Sequence, residues 1–269
     1  MMNVAINGSF DDLRAPGMRF LEAASRLGAV HVYLWSDSQV RRSTGNAPKF
    51  PQAERQYFLE AVRYVQQVTL LEDIPDATAL IAEEHPDLVA VMDDDLATLE
   101  FCDRLNLQRA IFSADQLRGF PPAPQMDRVR TPGTKKVLVT GCYDWLHSGH
   151  VRFFEEASAY GELYVIVGND ANVTNLKGEG HPLFPQELRR YMAGSIRYVH
   201  QALITSGWGW MDAEPEIEAL RPDIYLVNED GDKPEKREFC AAHGLEYVVL
   251  QRTPAPGLEK RSSTDLRGF

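Results

Sequence analysis

The chain is short of positive charge: 28 lysines and arginines stand against 39 aspartates and glutamates, a formal net charge of −11. That balance excludes a broad nucleic-acid footprint, which needs a basic face to release counterions from phosphates. A small anionic ligand is still allowed, because it needs only a local positive pocket. Cysteine is also scarce. Cys102, Cys142 and Cys240 are odd in number and lack metal-ligand spacing, so they read as buried free thiols in a reducing compartment and not as a disulfide framework. No apolar run approaches the roughly 20 residues of a membrane span, and the N-terminus lacks the basic-then-apolar order of a signal peptide. A cytoplasmic protein without a membrane span is expected.

What the sequence does have is internal repetition. With 269 residues and 44% hydrophobic content, it can fill two cores of ordinary size. Slid along itself by 133 positions, the chain sets Gly8 on Gly141, Phe10 on Tyr143, Asp11 on Asp144, Arg19 on Arg152, Phe20 on Phe153, Glu22 on Glu155 and Asp37 on Asp170. One further residue of slip sets Pro51-Gln52 on Pro185-Gln186, Arg55 on Arg189 and Arg63-Tyr64-Val65 on Arg197-Tyr198-Val199. The halves close on Gln116-Leu-Arg-Gly-Phe120 and Asp265-Leu-Arg-Gly-Phe269. Such ordered matches mark a tandem duplication. Between the copies, residues 121–134 are proline-rich and aperiodic and read as a semi-rigid linker, leaving copies at 1–120 and 135–269.

Each copy alternates apolar runs with helical periodicity. In the second, Lys136 to Thr140 reads as a buried strand, His150 to Tyr160 as a helix closed by Gly161, and Leu163 to Val167 as another strand. Pro185 opens a helix, Asp223 to Val227 and Tyr247 to Leu250 read as later strands, and a helix covers Glu235 to Ala242. Strands separated by helices predict right-handed crossovers and a parallel sheet, an α/β Rossmann-like fold formed twice.

In such sheets ligands bind beyond the carboxyl ends of the strands. The stretch Val139-Thr-Gly-Cys-Tyr-Asp-Trp-Leu-His147-Ser-Gly-His150 falls there. Two histidines frame a glycine where a helix opens, and the free N–H groups of a helix start favour an anion such as a phosphate. Gly149 lets the backbone approach a ligand closely.

This stretch resembles the HxGH signature of the nucleotidyltransferase superfamily, with flanks like those of its cytidylyltransferase branch. Further pieces match in order: Asn175-Leu-Lys177-Gly178 is similar to the family's lysine loop, and Arg189 precedes Ile196-Arg-Tyr-Val199, similar to its Arg-Tyr-Val-Asp helix. Gln251-Arg252-Thr253 with Arg261-Ser262-Ser263-Thr264-Asp265 resembles the block that holds the nucleotide phosphates. The resemblance covers residues 135–269.

It implies a direct in-line displacement, in which a substrate phosphate oxygen attacks the α-phosphorus of CTP and pyrophosphate leaves. The acceptor would be a small phosphorylated alcohol, polyol or phosphonate. His147, His150, Lys177 and Arg189 would be catalytic. Gly141, Cys142, Tyr143, Asp144, Gly149, Asn228, Arg252, Thr253, Ser262, Ser263 and Thr264 would bind nucleotide. Mg²⁺ would come with the triphosphate, with no metal ligands from the protein. ATP is a rival donor, because Leu176-Lys-Gly-Glu-Gly-His-Pro-Leu-Phe-Pro-Gln also resembles the sugar-phosphate adenylyltransferases. A catalytically weak nucleotide-binding regulator is a rival from another class.

Two features depart from the family pattern. The block between Arg252 and Ser262 is longer than usual, and Asn228-Glu229-Asp230 stands where the family often carries His-Asp-Asp or Gly-Asp-Asp. The first copy departs further: Arg14-Ala-Pro-Gly17 replaces His147-Ser-Gly-His150, and Thr44 replaces Lys177. It is expected to be inactive. Since the family pairs through its Arg-Tyr-Val helices, the first copy is expected to serve as an intrachain pseudo-dimer partner, with a further homodimer left open.

Overall fold

The computed structural model describes residues 2–72, 80–81, 83–129, 131–263 and 266. They form two compact units, Met1–Gly119 and Phe120–Phe269. In the first, the order is β1 (Asn3–Gly8), α1 (Ala15–Ser25), β2 (Ala29–Trp35), α2 (Asp37–Thr44), α3 (Gln52–Glu60), β3 (Val65–Leu71), β4 (Leu88–Met92), α4 (Leu96–Leu105) and β5 (Arg109–Phe112). The second repeats it: β6 (Lys136–Gly141), α5 (Ser148–Ser158), β7 (Glu162–Val167), α6 (Asp170–Lys177), α7 (Gln186–Gly194) and β8 (Val199–Ile204). It goes on through α8 (Glu214–Leu220), β9 (Ile224–Asn228), α9 (Pro234–His243) and β10 (Glu246–Leu250).

The sheets share one topology. The first runs β3-β2-β1-β4-β5 and the second β8-β7-β6-β9-β10, and every pairing is parallel. Both slip register at the same place, between Val30 and His31 against β3 and between Leu163 and Tyr164 against β8. The architecture is therefore α/β and Rossmann-like in each unit. The central strand β6 is apolar because both its faces are covered: Val137, Leu138 and Val139 are fully buried.

Local details differ from the sequence reading. The helix expected to run from His150 to Tyr160 spans Ser148–Ser158. Gly161 leads into β7 at φ 153°, and a Cβ there would lie 2.1 Å from the Lys135 carbonyl oxygen. It is needed for a close backbone approach, not as a helix cap. Arg197 and Tyr198 sit in a turn between α7 and β8, so the expected Arg-Tyr-Val helix ends before them and Val199 begins a strand.

Residues 125–127 strap the second unit near the start of its strands. Gln201 on β8 donates to the Gln125 carbonyl at 2.6 Å and accepts from the Asp127 N–H at 2.9 Å. The Asp127 carbonyl accepts from Lys136 Nζ (2.9 Å) and the Tyr164 hydroxyl (3.3 Å). Met126 packs on the core formed by Leu138, Tyr164, Ile166 and their neighbours. No helix among the described residues is long and apolar enough to cross a membrane.

Candidate functional site

β6 ends at Gly141, beside β9 on one side and β7 on the other, where the direction of sheet winding reverses and a crevice opens. Tyr143 follows at φ 51°, folding its ring back over Gly141, where a Cβ would stand 2.7 Å from the ring's Cζ. Phe10 does the same over Gly8 in the first unit, at φ 47°. The glycine two residues before the aromatic thus serves the turn, with or without chemistry beyond it.

His147 is the N-cap of α5. Its backbone is extended, and its Nδ1 accepts from the Gly149 N–H at 3.1 Å. An imidazole that accepts at Nδ1 carries its proton at Nε2, and so is a donor there. His150, one turn on, stacks against it with ring centroids 4.0 Å apart at 30°. Gly149 makes this geometry possible: a Cβ would lie 3.0 Å from His147 Cε1 and 3.1 Å from Nδ1. Burial holds the His150 pKa well below 6.5, and the nearby His147, Arg252 and Lys177 push the same way against the Trp145 carbonyl. His150 is a neutral ring.

The crevice measures about 230 Å³. Its wall includes Gly141, Cys142, Tyr143, Asp144, His147, Gly149, His150, Lys177, Asn228, Arg252 and Ser263. Lys177 comes from the last turn of α6. Arg252 is aimed by an ion pair to Asp230 at 2.7 Å and by donation to the Arg261 carbonyl at 2.8 Å. That second bond closes the long 253–260 loop on itself, and Ser263 Oγ ties its far end to the Trp145 carbonyl at 3.3 Å. Thr253 lines a small adjoining groove with Lys260 and Arg261. Ser262 lies outside the crevice wall, and Thr264 falls outside the described residues.

Arg189 is placed differently from the other expected site residues. Its side chain is wholly buried beneath the crevice, donating to the carbonyls of Phe184, Cys142 and Gly168 and to the Asp170 carboxylate at 2.6–2.8 Å. Arg55 makes the same set in the first unit, to Phe50, Ser9, Trp35 and Asp37. Asp144 likewise accepts from the N–H groups of Leu183 and Phe184, as Asp11 does from Lys49 and Phe50. These pairs are shared by a copy with histidines and one without, so they hold the two crossing loops together in both.

Asp230, in the stretch that departs from the family pattern, also lines the crevice, as do Lys236 and His181, which residue spacing did not mark as site residues. Lys236 lies in the first turn of α9, the helix after β9, and position beyond a strand's carboxyl end was the one available signal. Burial lowers its pKa, and its Nζ donates to the Gly231 carbonyl at 3.1 Å. On the wall, the buried Tyr143 hydroxyl and Asn228 Oδ1 have no partner among the described residues. Trp208 and Trp210, between β8 and α8, are 64% and 54% exposed. No cluster of three or more acidic, histidine or cysteine side chains suited to a metal occurs among the described residues. In a chain of net charge −11, the crevice gathers Lys177, Lys236 and Arg252 around paired imidazoles. That arrangement can hold several phosphate oxygens and aim donors at charge that moves between them.

Comparison with known proteins places residues 138–269 in the sequence profile described as Cytidylyltransferase-like. An FAD synthase of Aciduliprofundum boonei is 34% identical over 136 residues, covering 49% of this chain and 84% of the relative. The bifunctional protein HldE of Azotobacter vinelandii is 35% identical over 137 residues, but only 27% of its length is spanned. Among solved structures, the lipopolysaccharide core biosynthesis protein of Thermoplasma volcanium GSS1 matches 45% of this chain and 99% of its own at 24% identity, with a TM-score of 0.39.

Proposed function

Because this chain belongs to the cytidylyltransferase-like family of nucleotidyltransferases, we propose that its second unit transfers a nucleoside monophosphate from a nucleoside triphosphate to a small phosphorylated acceptor. The observation that carries this reading is the stacked His147 and His150 pair at the start of α5, opening on the same crevice as Lys177 and Arg252.

In the reaction, an acceptor phosphate oxygen attacks the α-phosphorus in line. One P–O bond forms, the bond to the bridging oxygen breaks, and its electron pair leaves with pyrophosphate. Such a step needs positioning and charge compensation more than covalent help. His147 donates from Nε2 to a phosphate oxygen, and His150, kept neutral by burial, serves as a donor that carries no charge of its own. Lys177 bridges the two reacting phosphates. Arg252, Thr253, Arg261 and Ser263 hold the leaving end. Arg189 and Asp144 are positioning residues, acting through the loops they pin.

Mg²⁺ supplies charge neutralisation when it arrives on the triphosphate. Of the acidic groups on the wall, Asp144 accepts two backbone N–H bonds and Asp230 pairs with Arg252, so the ion would keep mostly phosphate and water ligands. The donor read from the motifs is CTP. A second reading, ATP, is favoured by the relative named FAD synthase, whose named product contains an adenylyl group. The acceptor is a phosphorylated alcohol, polyol or phosphonate. The first unit, which carries Arg14 and Gly17 where the imidazoles would be, does not transfer nucleotides, and the protein works in the cytoplasm.

A panel of phosphorylated alcohols, sugars and phosphonates, each with Mg²⁺ and either CTP or ATP, tests this reading through pyrophosphate release. One donor and one acceptor class should stand out. Tight nucleotide binding with no pyrophosphate from any acceptor would overturn transfer in favour of a regulatory binding role.

A further inference from the structure

The strap at residues 125–127 has a counterpart seat in the first unit, and among the described residues nothing straps it. A cavity of about 150 Å³ is lined there by Asn3, Ala5, His31, Tyr33, Gln67 and Glu84, among others. By the repeat these positions answer to the strap's own: Asn3 to Lys136, His31 to Tyr164, Tyr33 to Ile166 and Gln67 to Gln201. The correspondence is structural, because Gln67 pairs with His31 across β3 and β2 as Gln201 pairs with Tyr164 across β8 and β7, each just past the same register slip. In the second unit Gln201 clamps one backbone carbonyl and one N–H on either side of Met126, and the half-buried methionine packs against the core. In the first unit Gln67 is exposed, and among the described residues no strap bonds to it.

The charges around the two seats differ. Asp127 faces Lys136 and His200, the latter at 3.2 Å. Asn3 and Gln66 occupy those positions in the first unit, and a carboxylate is added: Glu84 accepts from the Tyr33 hydroxyl at 2.6 Å and lies 3.2 Å from His31 Nδ1. Its side chain is 43% exposed at the rim. An acidic residue following the apolar anchor is favoured in the second seat and opposed in the first.

We propose that the cavity of the first unit is a peptide seat, which takes an extended segment of another polypeptide through backbone bonds to Gln67, one methionine-sized apolar side chain, and a basic residue beside Glu84. This is recognition of a strand-like segment by main-chain bonds and a single pocket.

Labelled nonapeptides with the sequence of residues 121–129, one unchanged and one carrying Asp127→Lys, are titrated into the full-length chain by fluorescence anisotropy. The lysine form should bind saturably, and the unchanged form about tenfold more weakly. Gln67→Leu in the protein, an exposed change that leaves the core intact, should weaken the lysine form about tenfold through loss of two backbone bonds. Changing Met126 to Ser in the peptide should abolish binding. The proposal is overturned if neither peptide saturates, if the acidic form binds better, or if Gln67→Leu leaves the affinity unchanged.

Discussion

His147 and His150 stack face to face at 4.0 Å across one turn of α5, with His147 locked by its bond from the Gly149 N–H. Neither ring does the other's work, since one is an N-cap donor and the other a buried neutral ring. Replacing either with alanine should lower turnover roughly 100- to 1,000-fold, the usual cost of losing one donor to a transition-state oxyanion. Circular dichroism should show an unchanged fold. Loss of turnover accompanied by loss of structure would argue that the pair is only a packing element.

Gly149→Ala tests the lock itself. The new Cβ would stand 3.0–3.1 Å from the His147 ring, so the imidazole has to give by a few tenths of an ångström while the helix survives. Turnover should fall at least about tenfold, consistent with a misplacement of well under an ångström to about one, and the denaturation midpoint should barely move. Unchanged turnover would mean that the orientation of His147 is unimportant.

Arg55 and Arg189 offer a paired test of scaffold against chemistry. Each ties three carbonyls and one carboxylate within its own unit. Alanine at either position should destabilise its unit by about 2–4 kcal/mol, because buried acceptors lose their donor. Urea denaturation measures this. A large turnover defect in Arg189→Ala with no stability loss would instead give Arg189 a direct role at the phosphates.

Stability should depend on pH through His150. Its folded pKa lies well below the unfolded value of 6.5, so below about pH 6.5 the unfolded chain takes up a proton that the folded one refuses. Stability is therefore complete above that pH and is lost as pH falls, by up to about 1.4 kcal/mol per unit for one group. His31, whose pKa burial also lowers, adds to the trend in the first unit. Between about pH 7.5 and 5.5 the second unit of the wild type should lose more stability than that of His150→Gln. Equal slopes would contradict the burial argument.

Much of this was legible in the sequence because the repeat and the buried strands leave strong patterns. The 133-residue offset that aligns Gly8 with Gly141 reappears as the spacing of β1 from β6 and of α1 from α5. His147, Gly149, His150 and Lys177 reach one crevice because strand–helix junctions sit at predictable ends of a parallel sheet. Other features were not legible. That Arg189 points inward and Lys236 toward the crevice depends on side-chain direction, which residue spacing alone does not fix. β8 was hidden because Val199 and Ile204 bracket residues of mixed polarity, among them Gln201, whose amide is needed for the strap. The strap itself carries no periodicity, being held by main-chain bonds that any residue can make.

The most direct measurement is a crystal structure of the full chain with a non-hydrolysable CTP or ATP analogue. The account predicts the innermost phosphate between the two imidazoles and the Lys177 ammonium, with the outer phosphates toward Arg252. A triphosphate bound beside Arg14 and Gly17 in the first unit, or distant from His147 and His150, would contradict it.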